Sequence, residues 1–338
     1  MKKNKAGNLS PVAVIILVLL PIVIAVVALS IGRISYPVSD IVKAVASKLG
    51  GESVSQQLEV VVWNIRLPRV LLALLAGAGL SAAGVAFQSL FANPLATPDT
   101  LGVASGTSFG AALAILMGFS LVGVQLTALV LGIVAVSVTW LCASGKGKAL
   151  SMVVLSGIMI GSLFNSLVSL VKFTADTESQ LPAITYWLMG SLSGAGYDSL
   201  ALGAPPIIAG IFVLFLLRWK LNVLPLSDDE AKSMGVNIKA LRIVTVLCAT
   251  VITASCVSMC GQVGWVGLLI PHICRMAFGT NHRAVLPASI SLGSAFMVVV
   301  DTIARSVSAA EIPISILTAI IGAPFFIVLM RKRGGFRI

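Results

Sequence analysis

Residues 11–31 read PVAVIILVLLPIVIAVVALSI, an apolar run of 21 residues without a charged side chain. A helix of this length crosses the roughly 30 Å hydrocarbon core of a bilayer, because each residue adds about 1.5 Å. Lys2, Lys3 and Lys5 before the run resemble the start of a secretory signal. The run is nevertheless too long for the apolar part of such a signal, and no convincing cleavage site follows it. It therefore predicts a retained membrane-spanning helix.

The rest of the chain repeats this apolar pattern. Of the 338 residues, 58% are hydrophobic and only 10% are charged, with a mean hydropathy of +1.05. This apolar content is far above what a soluble core needs. We predict an all-α polytopic membrane protein, with residues 1–338 forming a single transmembrane domain of about ten spans. The predicted spans are 12–32, 66–88, 100–118, 121–142, 149–171, 197–218, 239–260, 263–279, 284–303 and 311–331.

Basic residues are distributed unevenly between the predicted loops. Sixteen of the 23 Lys and Arg residues fall on the side that holds both termini. Because short cytoplasmic loops carry an excess of Lys and Arg, both termini are predicted to be cytoplasmic. This topology explains the net charge of +11, so a nucleic-acid partner is not needed to account for it.

The loop at residues 221–238 places Asp228, Asp229 and Glu230 side by side in an otherwise weakly charged chain. Ser227 and Glu230 have the spacing of a capping box, in which each side chain accepts a hydrogen bond from the other residue's amide. Gly235 suits the left-handed residue that ends a helix. The segment predicts a short, self-contained helix from Ser227 to Met234. Two interpretations stay open, a docking element for another protein and an ordinary solvated loop helix.

The predicted spans contain almost no titratable groups, whereas ion-coupled carriers usually place such groups in mid-span. His272 is the central exception, and we interpret it as a buried side chain bonded to a neighbouring helix. We find neither the Ser–His pair nor the paired Asp that an intramembrane protease would need. The five cysteines imply no disulfide framework, and Cys256 and Cys260 are interpreted as packing residues. We therefore predict a non-catalytic subunit that binds no metal or cofactor.

The sequence also contains no recognisable nucleotide-binding motif. Residues 144–148 read SGKGK, which lacks the spacing of a phosphate-binding loop, and we interpret them as a basic cytoplasmic turn. The predicted membrane path has no ion-handling groups, and the chain has no nucleotide site to supply energy. Together with the acidic cytoplasmic helix, this suggests a subunit that binds a separate energy-supplying protein. The rival hypothesis is a secondary transporter or facilitator that works alone.

Four stretches of the sequence match a known family. They are RLPR at 66–69, the segment 84–102 with FQ at 87–88 and NPLATP at 93–98, GWVGLLIPH at 264–272, and DTIAR at 301–305 followed by EIP at 311–313 and GAP at 322–324. Through them the chain resembles, over essentially its whole length, the FecCD-type permease subunits of ABC importers for iron-siderophores, haem and cobalamin.

This resemblance implies a type II ABC importer permease in a bacterial or archaeal cytoplasmic membrane. The expected partners are a second permease subunit, identical or paralogous, two cytoplasmic ATPase subunits that bind ATP and Mg, and an extracytoplasmic substrate-binding protein. A ferric siderophore is the expected cargo, with haem or cobalamin as alternatives.

The resemblance also implies roles for individual residues. The element that couples to the ATPase would comprise Ser227, Asp228, Asp229, Glu230, Ala231, Lys232, Ser233, Met234 and Gly235. Arg66, Arg69 and Arg305 would dock the binding protein, although arginines also serve as membrane-interface anchors. The translocation path would include Ser156, Met159, Ser162, Asn165, Ser166 and Ser169, although Ser and Asn at this spacing also form interhelical hydrogen bonds. The cytoplasmic gate would comprise Ser144, Gly145, Lys146, Gly147 and Lys148.

Overall fold

A computed structural model describes residues 9–32, 34–48, 50, 54–143, 150–308 and 310–333. Its regular secondary structure is helical, and no β-strand occurs within these residues. Ten helices coincide with the ten predicted spans: α1 (Pro11–Ser30), α4 (Leu67–Leu90), α5 (Val103–Leu116), α6 (Leu121–Cys142), α7 (Leu150–Thr174), α9 (Tyr197–Leu216), α11 (Ile238–Cys260), α12 (Val266–Phe278), α13 (His282–Val307) and α14 (Ile314–Arg333). The all-α membrane fold is therefore confirmed.

Four shorter helices lie between these spans. They are α2 (Val38–Ser47), α3 (Gln56–Val60), α8 (Gln180–Leu188) and α10 (Asp228–Ser233). The helix α3 continues through a π-helical turn, Val61–Arg66, into α4, so that Gln56–Leu90 is one continuous helical segment of 35 residues. The sequence predicted α10, but α2, α3 and α8 lie outside the predicted spans.

The helix α4 forms the centre of the bundle, and nearly all of its residues are buried. It packs against α13, α11, α12 and α9. Two close approaches depend on glycine. A Cβ atom on Gly77 would lie 2.1 Å from the carbonyl oxygen of Gly293 on α13, and one on Gly84 would lie 2.0 Å from that of Gly267 on α12. Small residues in α4 therefore allow backbone-to-backbone contact, the usual way in which membrane helices pack tightly.

Two spanning helices are too short to cross the membrane alone. With 14 and 13 residues, α5 and α12 are each about 20 Å long, against a hydrocarbon core of about 30 Å. The residues that directly precede them, 98–102 and 261–265, would therefore complete the crossing at membrane depth. The first turn of α12 also lies against the first of these segments, since a Cβ atom on Gly267 would lie 3.7 Å from Cδ of Pro98. Non-helical backbone is tolerated at such depth where it is buried in protein or lines a water-filled cavity.

Candidate functional site

A cavity of about 520 Å³ lies where these two membrane-depth segments meet. Its volume is in the range of pockets that hold ligands of drug size. Its polar lining residues are Thr97, Asp99, Ser105, Asn165, Thr253, Gln262 and Ser315, and its apolar lining includes Leu80, Val257, Trp265 and Leu268. The lining comes from the segments before α5 and α12 and from α4, α5, α7, α8, α11, α12 and α14. The cavity is therefore the candidate site for a solute that crosses the membrane.

The helix α7 contributes the residues that were predicted to line the path. Met159, Ser162, Asn165, Ser166 and Ser169 are exposed on this helix, whereas Ser156 is buried and does not share their surface. The hydroxyl groups of Ser166 and Ser169 donate to the carbonyl oxygens of Ser162 and Asn165 on their own helix, at 3.0 and 3.1 Å. Asn165 is the one member of the predicted set that lines the cavity. The path assignment stays a prediction for all six residues.

The sequence reasoning missed Asp99, which lies one residue before the predicted third span. Asp99 belongs to a 3-10 helix, Pro98–Leu101, deep in the bundle, but its side chain is exposed to the cavity. The predicted spans remain nearly free of ionisable groups, but one carboxylate next to a predicted span lines the cavity. The turn-rich sequence NPLATPD at 93–99 was the available signal, because it cannot form a regular spanning helix.

On the side of the protein that carries α10, the predicted capping box is present. The Ser227 hydroxyl accepts from the Glu230 amide, and the Glu230 carboxylate accepts from the Ser227 amide at 2.9 Å and from its hydroxyl at 2.8 Å. These hydrogen bonds lower the pKa of the Glu230 carboxyl group. Gly235 has a φ of +72°, which is the predicted left-handed ending. The sequence prediction of a self-contained helix is confirmed.

The acidic residues of α10 differ in what they contact. Asp228 pairs with Arg242 on α11 at 3.0 Å, so it fastens α10 to the bundle. The side chain of Asp229 is 95% exposed, and its partner Lys232, at 3.1 Å, lies on the same short helix. Ala231 is fully buried beneath them. Asp229 is thus exposed on the surface of the helix and is not part of its attachment to the bundle.

The segment that leads into α10 is hydrogen-bonded to two spanning helices. The hydroxyl group of Ser89, near the end of α4, donates to the carbonyl oxygen of Leu221 at 2.5 Å. The side chain of Asn222 accepts from the His282 amide at 3.0 Å and donates to Asn281 at 3.2 Å, at the start of α13. These bonds anchor the segment before α10 to α4 and α13.

Removal of the N-cap should loosen α10 without unfolding the bundle. We expect Ser227→Ala to destabilise the helix locally by about 1 kcal/mol, because the Glu230 amide loses its acceptor. Amide hydrogen exchange in residues 229–234 should then be about fivefold faster. Ser233→Ala is the control, since Ser233 donates to the Glu230 carbonyl group and has no capping role. Equal exchange in the two variants would contradict the prediction.

The three arginines predicted to dock the binding protein lie at the start of α4 and near the end of α13, and all three are buried. Arg66, Arg69 and Arg305 are 6%, 9% and 8% exposed. Arg66 donates to the carbonyl oxygens of Leu29 and Ile34, and Arg305 donates to that of Ala28. These bonds tie α1 and the residues after it to α4 and α13. The docking role of the arginines stays a prediction, but their partners in this structure belong to the chain itself.

Arg69 is the centre of a buried ionic network. Its guanidinium group donates to Asp301 on α13 through Nε and Nη2 at 2.9 and 2.8 Å, and to Glu311 at 3.0 Å. Arg305 approaches the other carboxylate oxygen of Asp301 at 3.6 Å. Glu311 has a φ of +50°, an uncommon value outside glycine. The network joins α4, α13 and the segment that leads into α14.

Other residues singled out from the sequence are placed as follows. His272 is buried in α12, where its ring packs against Phe326 of α14, with the ring centroids 5.5 Å apart. Cys256 and Cys260 are buried in α11, and the thiol of Cys260 donates to the carbonyl oxygen of Cys256. The predicted gate at 144–148 lies outside the described residues.

Comparison with known proteins identifies the class of this bundle. The sequence matches the FecCD transport family over residues 17–332. It is 41% identical to the molybdate import system permease protein MolB of Haemophilus influenzae, over 94% of this chain and 96% of that protein. It is 36% identical to the Fe(3+)-citrate import system permease protein YfmE of Bacillus subtilis, over 98% of each chain.

Solved structures agree with this assignment. A metal-chelate type ABC transporter in an inward-facing conformation superposes with a TM-score of 0.87 at 40% identity, covering 96% of this chain and 100% of the other. Permeases of this kind are non-catalytic membrane subunits, so the hypothesis of a transporter that works alone is not supported. The chain belongs to the FecCD transport family and is a multi-pass permease subunit of an ABC importer.

Proposed function

We propose that this permease carries a bulky iron chelate, such as a ferric siderophore, across the membrane by alternating access. The observation that carries the proposal is the cavity of about 520 Å³, which is far larger than a small inorganic ion requires. Its mixed lining of hydroxyl, amide and apolar groups suits a large solute that must pass without being held. Haem and cobalamin fit the same description and are the alternatives of this class.

A second cargo class is favoured by one observation. The MolB protein, at 41% identity, is named for molybdate import, so an oxyanion is a candidate for this chain as well. Uptake assays with a ferric chelate and with molybdate, using the chain assembled with its own partner subunits, separate the two classes. ATP-dependent uptake of the chelate supports our proposal, and uptake of molybdate alone contradicts it.

The energy would come from two cytoplasmic ATPase subunits that bind ATP and Mg and contact α10. Three features support this role for the helix: an exposed carboxylate on Asp229, a fixed capped geometry, and hydrogen bonds through Leu221 and Asn222 to α4 and α13. Closure of the ATPase dimer would displace α10 and, through these bonds, the spanning helices that surround the cavity. In this arrangement α10 and both termini are cytoplasmic.

The cavity would be completed by a second permease subunit. Ser162, Asn165, Ser166 and Ser169 form a weakly polar exposed surface on α7, which is unsuited to contact with lipid tails. A second copy or a paralogue facing this surface would enclose the path between the two subunits.

On the outer face, the binding protein would dock at Arg66, Arg69 and Arg305. An acidic residue of that protein would compete most easily with Glu311, which is the more exposed of the two Arg69 partners. Such charges chiefly orient the docking partner, and salt weakens them.

The coupling role is tested by reversing one exposed charge. We expect Asp229→Arg to abolish co-purification of the ATPase subunits from native membranes in mild detergent, because Asp229 is exposed and unnecessary for the fold of α10. Glu230 is a poor choice for this test, since it forms the capping box. The matched control is Glu178→Arg, the same change at an exposed residue between α7 and α8, on the opposite side of the membrane. Full ATPase recovery with Asp229→Arg would overturn the coupling assignment.

A further inference from the structure

The cavity wall carries a single charged group among the described residues, the carboxylate of Asp99. The other residues around it supply hydroxyl, amide and apolar surface. No hydrogen bond or ion pair to this carboxylate is found within the described part of the chain. A carboxylate at membrane depth is costly unless it is paired or reached by water. Its position therefore calls for an explanation other than packing.

Local structure does not supply that explanation. The 3-10 helix that holds Asp99 is already capped by Thr97 and Thr100, each of which accepts from the amide of the other. Leu101 is fully buried, and Gly102 takes a left-handed φ of +76° against Gly157 and Gly161 of α7. These contacts fix the backbone and leave the Asp99 side chain directed into the cavity. The turn would form with an uncharged residue at position 99.

We propose that Asp99 sets the charge selectivity of the translocation path, so that neutral or positively charged metal chelates pass and oxyanions are repelled. This inference rests on the proposed function and deepens it, because it names the charge class of the cargo. It also opposes the molybdate alternative, since molybdate carries two negative charges.

The expected strength of this selection follows from electrostatics. A charge on the wall of a narrow cavity with low-dielectric surroundings is screened less than a charge in bulk water, and the walls focus its field. For a singly charged group several ångströms from Asp99, the resulting difference between cation and anion is expected to be at least about tenfold in local concentration. A doubly charged oxyanion would be excluded more strongly.

The charge of the cavity is measured with a cysteine reporter at Ser105, which lines the same cavity on α5. Cys142 and Cys248, the native cysteines that are not buried, are replaced by alanine, and the parent without the reporter supplies the background. Cationic and anionic methanethiosulfonates of similar size are reacted with the purified full-length chain in non-ionic detergent. The readout is the ratio of the two labelling rates, each corrected for reaction with a small free thiol.

We expect the corrected ratio to favour the cationic reagent and to fall about tenfold in Asp99→Asn. Asp99→Glu should retain the ratio, and Glu178→Gln, which removes an exposed acid outside the cavity, should leave it unchanged. A ratio near one in the unaltered cavity, or an equal ratio in Asp99→Asn, would overturn the proposal. Size-exclusion profiles of the variants establish that each is folded.

A transport measurement separates this proposal from the proposed function. The full complex in liposomes is supplied with a neutral ferric siderophore or with molybdate, with Asp99 or Asn at position 99. If the cavity labels preferentially with the cationic reagent but no chelate is taken up, the proposed function is overturned, while the inference of a negatively charged cavity is retained. Chelate uptake with a labelling ratio that does not depend on residue 99 would retain the function and overturn the charge selectivity.

Discussion

Asp301→Ala is expected to destabilise the permease by about 3–5 kcal/mol, because it leaves two buried arginines without their shared counter-charge. Asp301 is 1% exposed and accepts from Arg69 at 2.8 and 2.9 Å, with Arg305 at 3.6 Å. Glu311 would remain bonded to Arg69 at 3.0 Å, but Arg305 would lose its carboxylate partner. Removal of one partner of a buried pair is costly because the remaining charge has lost its solvation.

The measurement is the free energy of unfolding in mixed micelles, followed by tryptophan fluorescence as a denaturing detergent is added. Glu59→Ala is the matched control, since it deletes a carboxylate from the Lys48–Glu59 pair, whose atoms are 2.6 Å apart. The Lys48 side chain is 56% exposed, so that pair is expected to contribute less than about 1 kcal/mol. Similar losses in the two variants would show that the Arg69 network is not a major source of stability.

This network also bears on how a binding protein would act. If the docked partner supplies a carboxylate to Arg69, the bond to Glu311 is the one that is exchanged, because Asp301 is the more deeply buried acid. Glu311 stands three residues before α14 and holds an uncommon backbone conformation. Release of Glu311 would therefore free the start of α14, a helix that lines the cavity through Ser315 and Ala319.

The elements that sequence alone predicted are those fixed by local rules. Ten apolar segments gave the ten spanning helices because each span must satisfy its backbone hydrogen bonds internally within lipid. The capping box at Ser227 and the left-handed Gly235 were likewise predictable, since every residue involved lies within nine positions of the others. The class of protein was predicted from the family motifs, because composition alone does not distinguish one kind of membrane protein from another.

What the sequence could not supply depends on contacts between distant residues. Arg69 and Asp301 are 232 positions apart, and nothing in either motif indicates that they pair. The cavity combines Asp99 with Gln262 and Trp265, which follow it by more than 160 positions. Ser156 has the expected helical spacing, but it is buried because the neighbouring Gly157 lies against the carbonyl group of Thr100. Periodicity identifies faces of a helix, but not which helix covers each face.

Gly77→Leu is the second change for which we expect a large effect, a loss of about 3 kcal/mol or more of stability. A Cβ atom at this position would lie 2.1 Å from the carbonyl oxygen and 2.6 Å from the carbonyl carbon of Gly293. Both atoms belong to backbone, so no side-chain rotation relieves the clash. The helices α4 and α13 would have to separate, although they form one of the most extensive helix contacts in the described structure.

The control for this change is Gly194→Leu, at a turn where an added Cβ atom meets nothing within 4 Å. The two variants add the same apolar volume, so a difference between them isolates the close approach of α4 and α13. We expect Gly194→Leu to unfold at the same denaturing-detergent concentration as the unaltered chain, and Gly77→Leu to unfold at a lower one or to lose its monodisperse size-exclusion peak. Because α4 also contacts α12 through Gly84, separation of α4 from α13 should loosen the cavity wall at Gly267. Unchanged unfolding of Gly77→Leu would mean that the bundle can absorb a side chain between these backbones, and the tight packing of α4 would then not be what positions the cavity.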